Sequence, residues 1–111
     1  MSQKIKLVIT GCMGRMGQQL VRSASRDKSI SIVSLTENRL IKKKISGIKP
    51  EFNTSEAFSK ANVIIDFTTP KCTLEVLKIA SIHKKKMVIG TTGFTKKEES
   101  LIEKYSKKIA I

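Results

Sequence analysis

Gly11-Cys12-Met13-Gly14-Arg15-Met16-Gly17 is the stretch on which the reading of this chain turns. Before it, residues 4–10 (KIKLVIT) make a short aliphatic and β-branched run, which predicts a strand buried on both faces. After it, Met16, Leu20, Val21 and Ala24 recur at helical spacing and predict a helix over residues 14–26. Glycines between a strand and a helix are the context that a dinucleotide-binding turn requires. In that reading Gly11 takes the sharp exit from the strand, Gly14 leaves room for a pyrophosphate, and Gly17 lets the helix lie close to the sheet. The first-turn N–H groups and the helix dipole then favour an anion. The spacing G-x-x-G-x-x-G is one residue longer than the commonest form, and a tight turn with incidental glycines is the bland alternative. No Gly-Lys-Ser/Thr follows, so a P-loop is disfavoured.

Working outward, strand and helix keep alternating. Residues 30–36 (ISIVSLT) predict a second strand, closing a βαβ unit. Residues 38–53 are irregular and basic, carrying Arg39, Lys42, Lys43, Lys44 and Lys49, with Gly47 and Pro50 as interruptions. A short helix is expected from Thr54 to about Ala61, a third strand over Asn62–Asp66, and a helix opening at Thr69-Pro70. Leu74, Leu77 and Ile82, with Val76 and Ala80, supply the buried side of that helix. Lys86–Gly90 predicts a fourth strand, and Thr95-Lys96-Lys97-Glu98 a capping box whose helix buries Leu101, Ile102 and Tyr105. Lys108–Ile111 predicts a fifth strand. The fold expected is α/β: a Rossmann-type, doubly wound parallel sheet of about five strands with helices on both faces, residues 1–111 forming one dinucleotide-binding domain.

The net charge of +13 raises nucleic-acid binding as an alternative. The lysines are scattered along the chain and aromatic residues are only 5%, so a compositional bias toward Lys, Ile, Ser and Asn explains the charge more simply. No apolar run approaches a membrane span. Met1-Ser2-Gln3-Lys4-Ile5-Lys6 enters a strand-like run directly, so no leader is expected. With Cys12 and Cys72 as the only cysteines, the expected setting is a reducing cytoplasm. No metal is expected.

Glu37 ends the second strand about twenty residues beyond Gly17, where a carboxylate accepts hydrogen bonds from an adenosine ribose. Its bland alternative is an exposed strand-end acid. A carboxylate there favours NAD(H) by repelling a 2′-phosphate, whereas Arg39 and Lys42–Lys44 offset that repulsion, so use of both NAD(H) and NADP(H) is the expectation. Ligands of open parallel sheets gather at the C-terminal strand ends. Asp66-Phe67-Thr68-Thr69-Pro70 and Gly90-Thr91-Thr92-Gly93-Phe94 both end there. Phe67 either packs near a nicotinamide or fills the core. His83, the only histidine, is expected at a helix end without a catalytic partner.

These three segments together, in this order, resemble the 4-hydroxy-tetrahydrodipicolinate reductases, formerly dihydrodipicolinate reductases. The Gly90–Phe94 segment with a Gly-Arg-Met-Gly turn is specific to that family and argues against other Rossmann dehydrogenases. The resemblance implies reduction of a small cyclic dicarboxylate with NADH or NADPH on the route to diaminopimelate and lysine. It implies that Gly11, Cys12, Met13, Gly14, Arg15 and Met16 line the pyrophosphate turn, that Glu37 meets the ribose, and that Gly90, Thr91 and Thr92 stand near the nicotinamide. Family members often carry Arg directly after the ribose acid, where this chain has Asn38, and residues 38–53 look shorter than in many members. The resemblance also implies a second domain, with a His-His-x-x-Lys-type motif and a Ser-Gly-Thr loop, that supplies the proton, binds the substrate and builds a homotetramer. No catalytic residue is therefore expected in these 111 residues, which are expected to be monomeric and inactive alone. A non-catalytic nucleotide-binding module is the alternative.

Overall fold

A computed structural model describes residues 4–111. Met1-Ser2-Gln3, on which the reading of a missing leader partly rests, lie outside the described residues. The elements run β1 (Ile5–Thr10), α1 (Arg15–Arg26), β2 (Ile30–Thr36), α2 (Ser55–Ser59), β3 (Val63–Asp66), α3 (Pro70–Ile82), β4 (Lys86–Ile89) and α4 (Lys96–Tyr105). The sheet is parallel throughout, in the order β2-β1-β3-β4. Winding therefore reverses between β1 and β3, which opens a crevice at their C-terminal ends.

Side-chain alternation divides the core into two layers. Leu7 and Ile9 face α1 and pack with Val21, Ala24 and Leu35. Val8 points the other way and joins Phe58, Ile64, Val76, Leu77 and Met87 beneath α2 and α3. A bulge in β2 keeps the second strand in phase with this division. Leu7 pairs with Ile32 but Val8 pairs with Ser34, so Val33 is the extra residue. It packs on the α2–α3 side, while Ile32 and Leu35 stay with α1.

Helix starts follow local chemistry. The Thr54 hydroxyl accepts from Ala57 N–H at 3.2 Å and the Thr69 hydroxyl from Cys72 N–H at 3.4 Å. Thr95 and Glu98 complete the expected capping box, with bonds of 2.8 and 3.2 Å. His83 caps the end of α3.

Among the described residues the sheet has four strands, and Lys108–Ile111 does not form the expected fifth. The N–H groups of Lys108 and Ile109 turn back to the Tyr105 carbonyl at 2.8 and 3.2 Å, prolonging the end of α4. Only then does the chain reach β4, where Met87 N–H donates to Ala110 C=O at 2.9 Å and Ile109 is buried. Four expected core positions are exposed: Ile5 at 48%, Met16 at 45%, Ile82 at 68% and Leu101 at 39%. Met16 lies in the open first turn of α1 and Ile82 is the last residue of α3. α4 contributes no fully buried residue and packs on the core only through Ile102 and Tyr105. Among the described residues no helix is long and apolar enough to cross a membrane.

Phe58 is fully buried although its helix has a single turn and a half, so packing rather than helix propensity holds α2. Phe58→Ala should cost about 3–5 kcal/mol in urea unfolding; a loss below about 1 kcal/mol would contradict this account of the core. Cys12 is fully buried, and its thiol is pushed up to about 11 by burial first and by the Glu37 carboxylate second. Relative to the ordinary value of 9.0, the native thiolate population near pH 8 falls about 100-fold. Iodoacetamide should therefore spare Cys12 in the native chain and label it in denaturant, and equal rates in both would refute the burial. Because the folded chain holds this proton more tightly, the Cys12 contribution to stability should be complete below pH 9 and fade as pH rises toward 11.

Candidate functional site

The crevice between β1 and β3 opens onto two adjoining cavities. One, of about 210 Å³, is bounded by Gly11 and Gly14 on one side and Phe67, Thr68 and Thr69 on the other. The second, of about 380 Å³, continues past Asn38, Phe52 and Lys71. Glu37, Asn38, Asn53, Thr69 and Cys72 line both, so the two cavities form one groove.

The glycines at the entrance differ in what requires them. Gly11 has φ +68°, and a Cβ there would stand 2.6 Å from the Phe67 carbonyl oxygen. A Cβ on Gly17 would stand 2.1 Å from the Gly11 carbonyl oxygen. Gly17 is needed for α1 to sit against the exit of β1, and Gly11 for that exit to lie against the turn after β3. Gly14 is different. Its φ of −72° and ψ of 169° suit any residue, and a Cβ would meet only the Gly11 oxygen at 3.4 Å. Nothing in the fold demands glycine at this position, which faces the groove.

Gly14 is also the N-cap of α1, and no side chain caps that helix. The starts of α2, α3 and α4 are each closed by a threonine hydroxyl. The first-turn donors of α1 thus remain available, at the end of the helix that attracts negative charge by about 0.3–1 kcal/mol. Gly14 N–H itself bonds the Gly11 carbonyl at 3.0 Å and shapes the turn.

Glu37 stands opposite. Its Oε2 accepts from Met13 N–H at 3.0 Å and its Oε1 from Asn38 N–H at 3.1 Å. These bonds aim the carboxylate while leaving each oxygen a further acceptor position. The segment beside it is held by main-chain bonds at the end of β2: Glu51 N–H to Leu35 C=O at 2.8 Å and Glu37 N–H to Glu51 C=O at 2.9 Å. That pairing carries Phe52 and Asn53 into the groove.

The predicted residues divide by position. Gly11, Gly14, Glu37 and Phe67 line the groove together. Arg15 and Met16 are exposed at the start of α1. The Cys12 side chain points into the α1-side core, and Met13 packs against that same core. Of the turn, Cys12 and Met13 can therefore offer main chain to the groove more readily than side chain. Phe67 lines the groove, and its ring occupies the space that a Cβ on Gly90 would need, only 1.9 Å away. Gly90 and Thr91 are half-buried beside it and Thr92 is exposed. Sequence reading passed over Phe52, Asn53, Lys71, Cys72 and Glu75 as groove residues. Phe52 and Asn53 lie in an irregular stretch without periodicity, although an aromatic next to an amide just before a helix cap was a usable signal.

The family described as "Dihydrodipicolinate reductase, N-terminus" matches residues 5–111. A 4-hydroxy-tetrahydrodipicolinate reductase of Pelagibacter ubique (strain HTCC1062) is 59% identical over 98% of this chain and 42% of its own length. One from Buchnera aphidicola subsp. Acyrthosiphon pisum (strain Tuc7) is 38% identical over 100% of this chain and 45% of its own. The chain thus spans less than half the length of these relatives. Among solved structures, a dipicolinate-bound dihydrodipicolinate reductase from Paenisporosarcina sp. TG-14 superposes with a TM-score of 0.71 and 26% identity, covering 94% of this chain and 43% of that one. A D-galactose-1-dehydrogenase from Rhizobium etli, at TM-score 0.74 and 19% identity over 97% of this chain and 35% of that one, shares the fold. On the glycine turn, the groove and these matches, the chain belongs to the dihydrodipicolinate reductase family and corresponds to its N-terminal part.

Proposed function

We propose that residues 1–111 are the dinucleotide-binding domain of a 4-hydroxy-tetrahydrodipicolinate reductase and hold NAD(H) or NADP(H) across the groove. The observation that carries this reading is the start of α1: a helix end left uncapped, at a glycine the fold does not need, facing a crevice at the reversal of strand order. A diphosphate fits there, because a side chain on Gly14 would occupy the space it enters.

The remaining contacts follow from direction along the groove. Glu37 accepts from the adenosine ribose with its free lone pairs. Phe52 offers an aromatic face to the base, and Asn53 Oδ1, buried without a hydrogen-bond partner among the described residues, offers an acceptor. At the other end Phe67, Gly90, Thr91 and Thr92 border the nicotinamide. The cofactor supplies the hydride, and the domain's part is to bind and orient it. In the whole protein the hydride acceptor is a small cyclic dicarboxylate, a second domain supplies the proton, and four copies assemble. This chain alone does not turn over substrate. With two free thiols and a metabolic role, it works in the cytoplasm.

Glu37 opposes a 2′-phosphate and Asn38 offers no guanidinium to it, while Arg39 and the lysines nearby soften the opposition. NADH and NADPH should therefore bind this chain within roughly tenfold of each other in calorimetric titrations. A preference beyond about 100-fold would exclude dual use. Glu37→Gln should move the balance toward NADPH. Gly14→Val should weaken both cofactors roughly tenfold or more with little change in melting temperature. Unchanged affinity in that folded variant removes the dinucleotide reading. Binding to duplex DNA with a steep salt dependence, undisturbed by excess NADH, would point to the charge-driven alternative.

A further inference from the structure

Asp66 ends β3 fully buried, and its partners are hydroxyls. Oδ1 accepts from Thr10, at the end of β1, and from Thr68 at 2.9 Å, in the turn after β3. Oδ2 accepts from Thr73, in the first turn of α3, and from Thr91 at 3.3 Å, in the loop after β4. Each carboxylate oxygen thus takes two donors, and the four donors come from four different segments. A buried carboxylate is costly unless its acceptor positions are filled, so the arrangement demands an explanation beyond packing. Its outermost member supplies one. Thr91 Oγ1 accepts from Thr68 N–H at 2.8 Å and lies 2.8 Å from the Thr73 hydroxyl. Gly90 N–H donates to the Asp66 carbonyl at 2.8 Å. Main chain and side chain of Asp66 together clamp the loop after β4 onto the turn after β3. Gly90 cannot drift toward β3, because the Phe67 ring already fills its Cβ side.

We propose that Asp66 is a positioning residue that sets the Gly90–Thr92 loop at the nicotinamide end of the groove, acting through the Thr91 hydroxyl. This rests on the dinucleotide reading above. The carboxylate touches no ligand itself. It holds Thr91 in the rotamer that bridges the two loops, so the main chain of Gly90 and Thr91 presents a fixed face to the ring.

The test separates the two ends of the ligand. NADH carries the nicotinamide and ADP-ribose lacks it, while both carry the diphosphate and adenosine. Thr91→Val removes one hydroxyl at constant shape, Thr91→Ser retains it, and Asp66→Asn changes the hub itself. In the 111-residue chain, Thr91→Val and Asp66→Asn should weaken NADH roughly tenfold and diminish the emission shift of bound NADH, with ADP-ribose affinity held within about twofold. Thr91→Ser should restore wild-type behaviour. If Asp66→Asn does not fold, Thr91→Val and Thr91→Ser decide the matter alone. Parallel loss of both ligands, or a fall in melting temperature with NADH binding unaltered, would make the cluster purely structural and overturn the proposal. Failure of the unsubstituted chain to bind either ligand would instead sink the dinucleotide reading on which it stands.

Discussion

The approach of α1 to the exit of β1 is the constraint from which the rest of this molecule follows. Gly17 passes over the Gly11 carbonyl at a distance no side chain could share. Because the helix lies that close, its N-cap Gly14 borders the groove at the C-terminal edge of the sheet. The turn between them is left-handed at Gly11, whose Cβ side lies against the Phe67 carbonyl of the neighbouring strand end. One steric condition thus sets the direction of a dipole, the shape of a crevice and the spacing of the two strand ends that border it.

Electrostatics completes what sterics begins. The chain as a whole is strongly cationic, yet the groove is governed by carboxylates and dipoles in particular places. Glu37 steadies the glycine turn from one side by accepting from Met13 N–H. Asp66 steadies the opposite side through threonine hydroxyls. Between them the uncapped end of α1 is left as the place where negative charge is welcome. An overall excess of lysine adds long-range attraction for anions, screened beyond about 10 Å at ordinary salt, and does not by itself select a ligand.

The local signals in the sequence were strong enough to place the regular elements. Caps at Thr69 and Thr95, the strand runs around Val8 and Ile64, and the glycine turn each depend on residues within a few positions of one another. Burial was legible less fully. Ile82 and Leu101 lie on apolar stripes but at a helix end and on a helix seated at the sheet margin, and a one-dimensional pattern does not say where the sheet stops. The last four residues read as a strand by composition, yet main-chain donors there are spent on the end of α4. At the groove, Gly11, Gly14 and Glu37 were legible because their chemistry is tied to strand ends, whereas Phe67 was legible only as one of two alternatives. Asn53 was not, since it arrives through the pairing of Glu51 with the end of β2, across a stretch that has no period of its own.

The sequence by itself determined the order of strands and helices, the anion-attracting turn and the acid that faces it, because each is encoded in contiguous residues. Tertiary structure alone decided which glycine the fold can spare, which way the Cys12 and Phe67 side chains point, and that Thr10, Thr68, Thr73 and Thr91 meet on one buried carboxylate. The physical reason is that these facts are distances between atoms far apart along the chain, and such distances exist only once parallel strands bring their ends side by side.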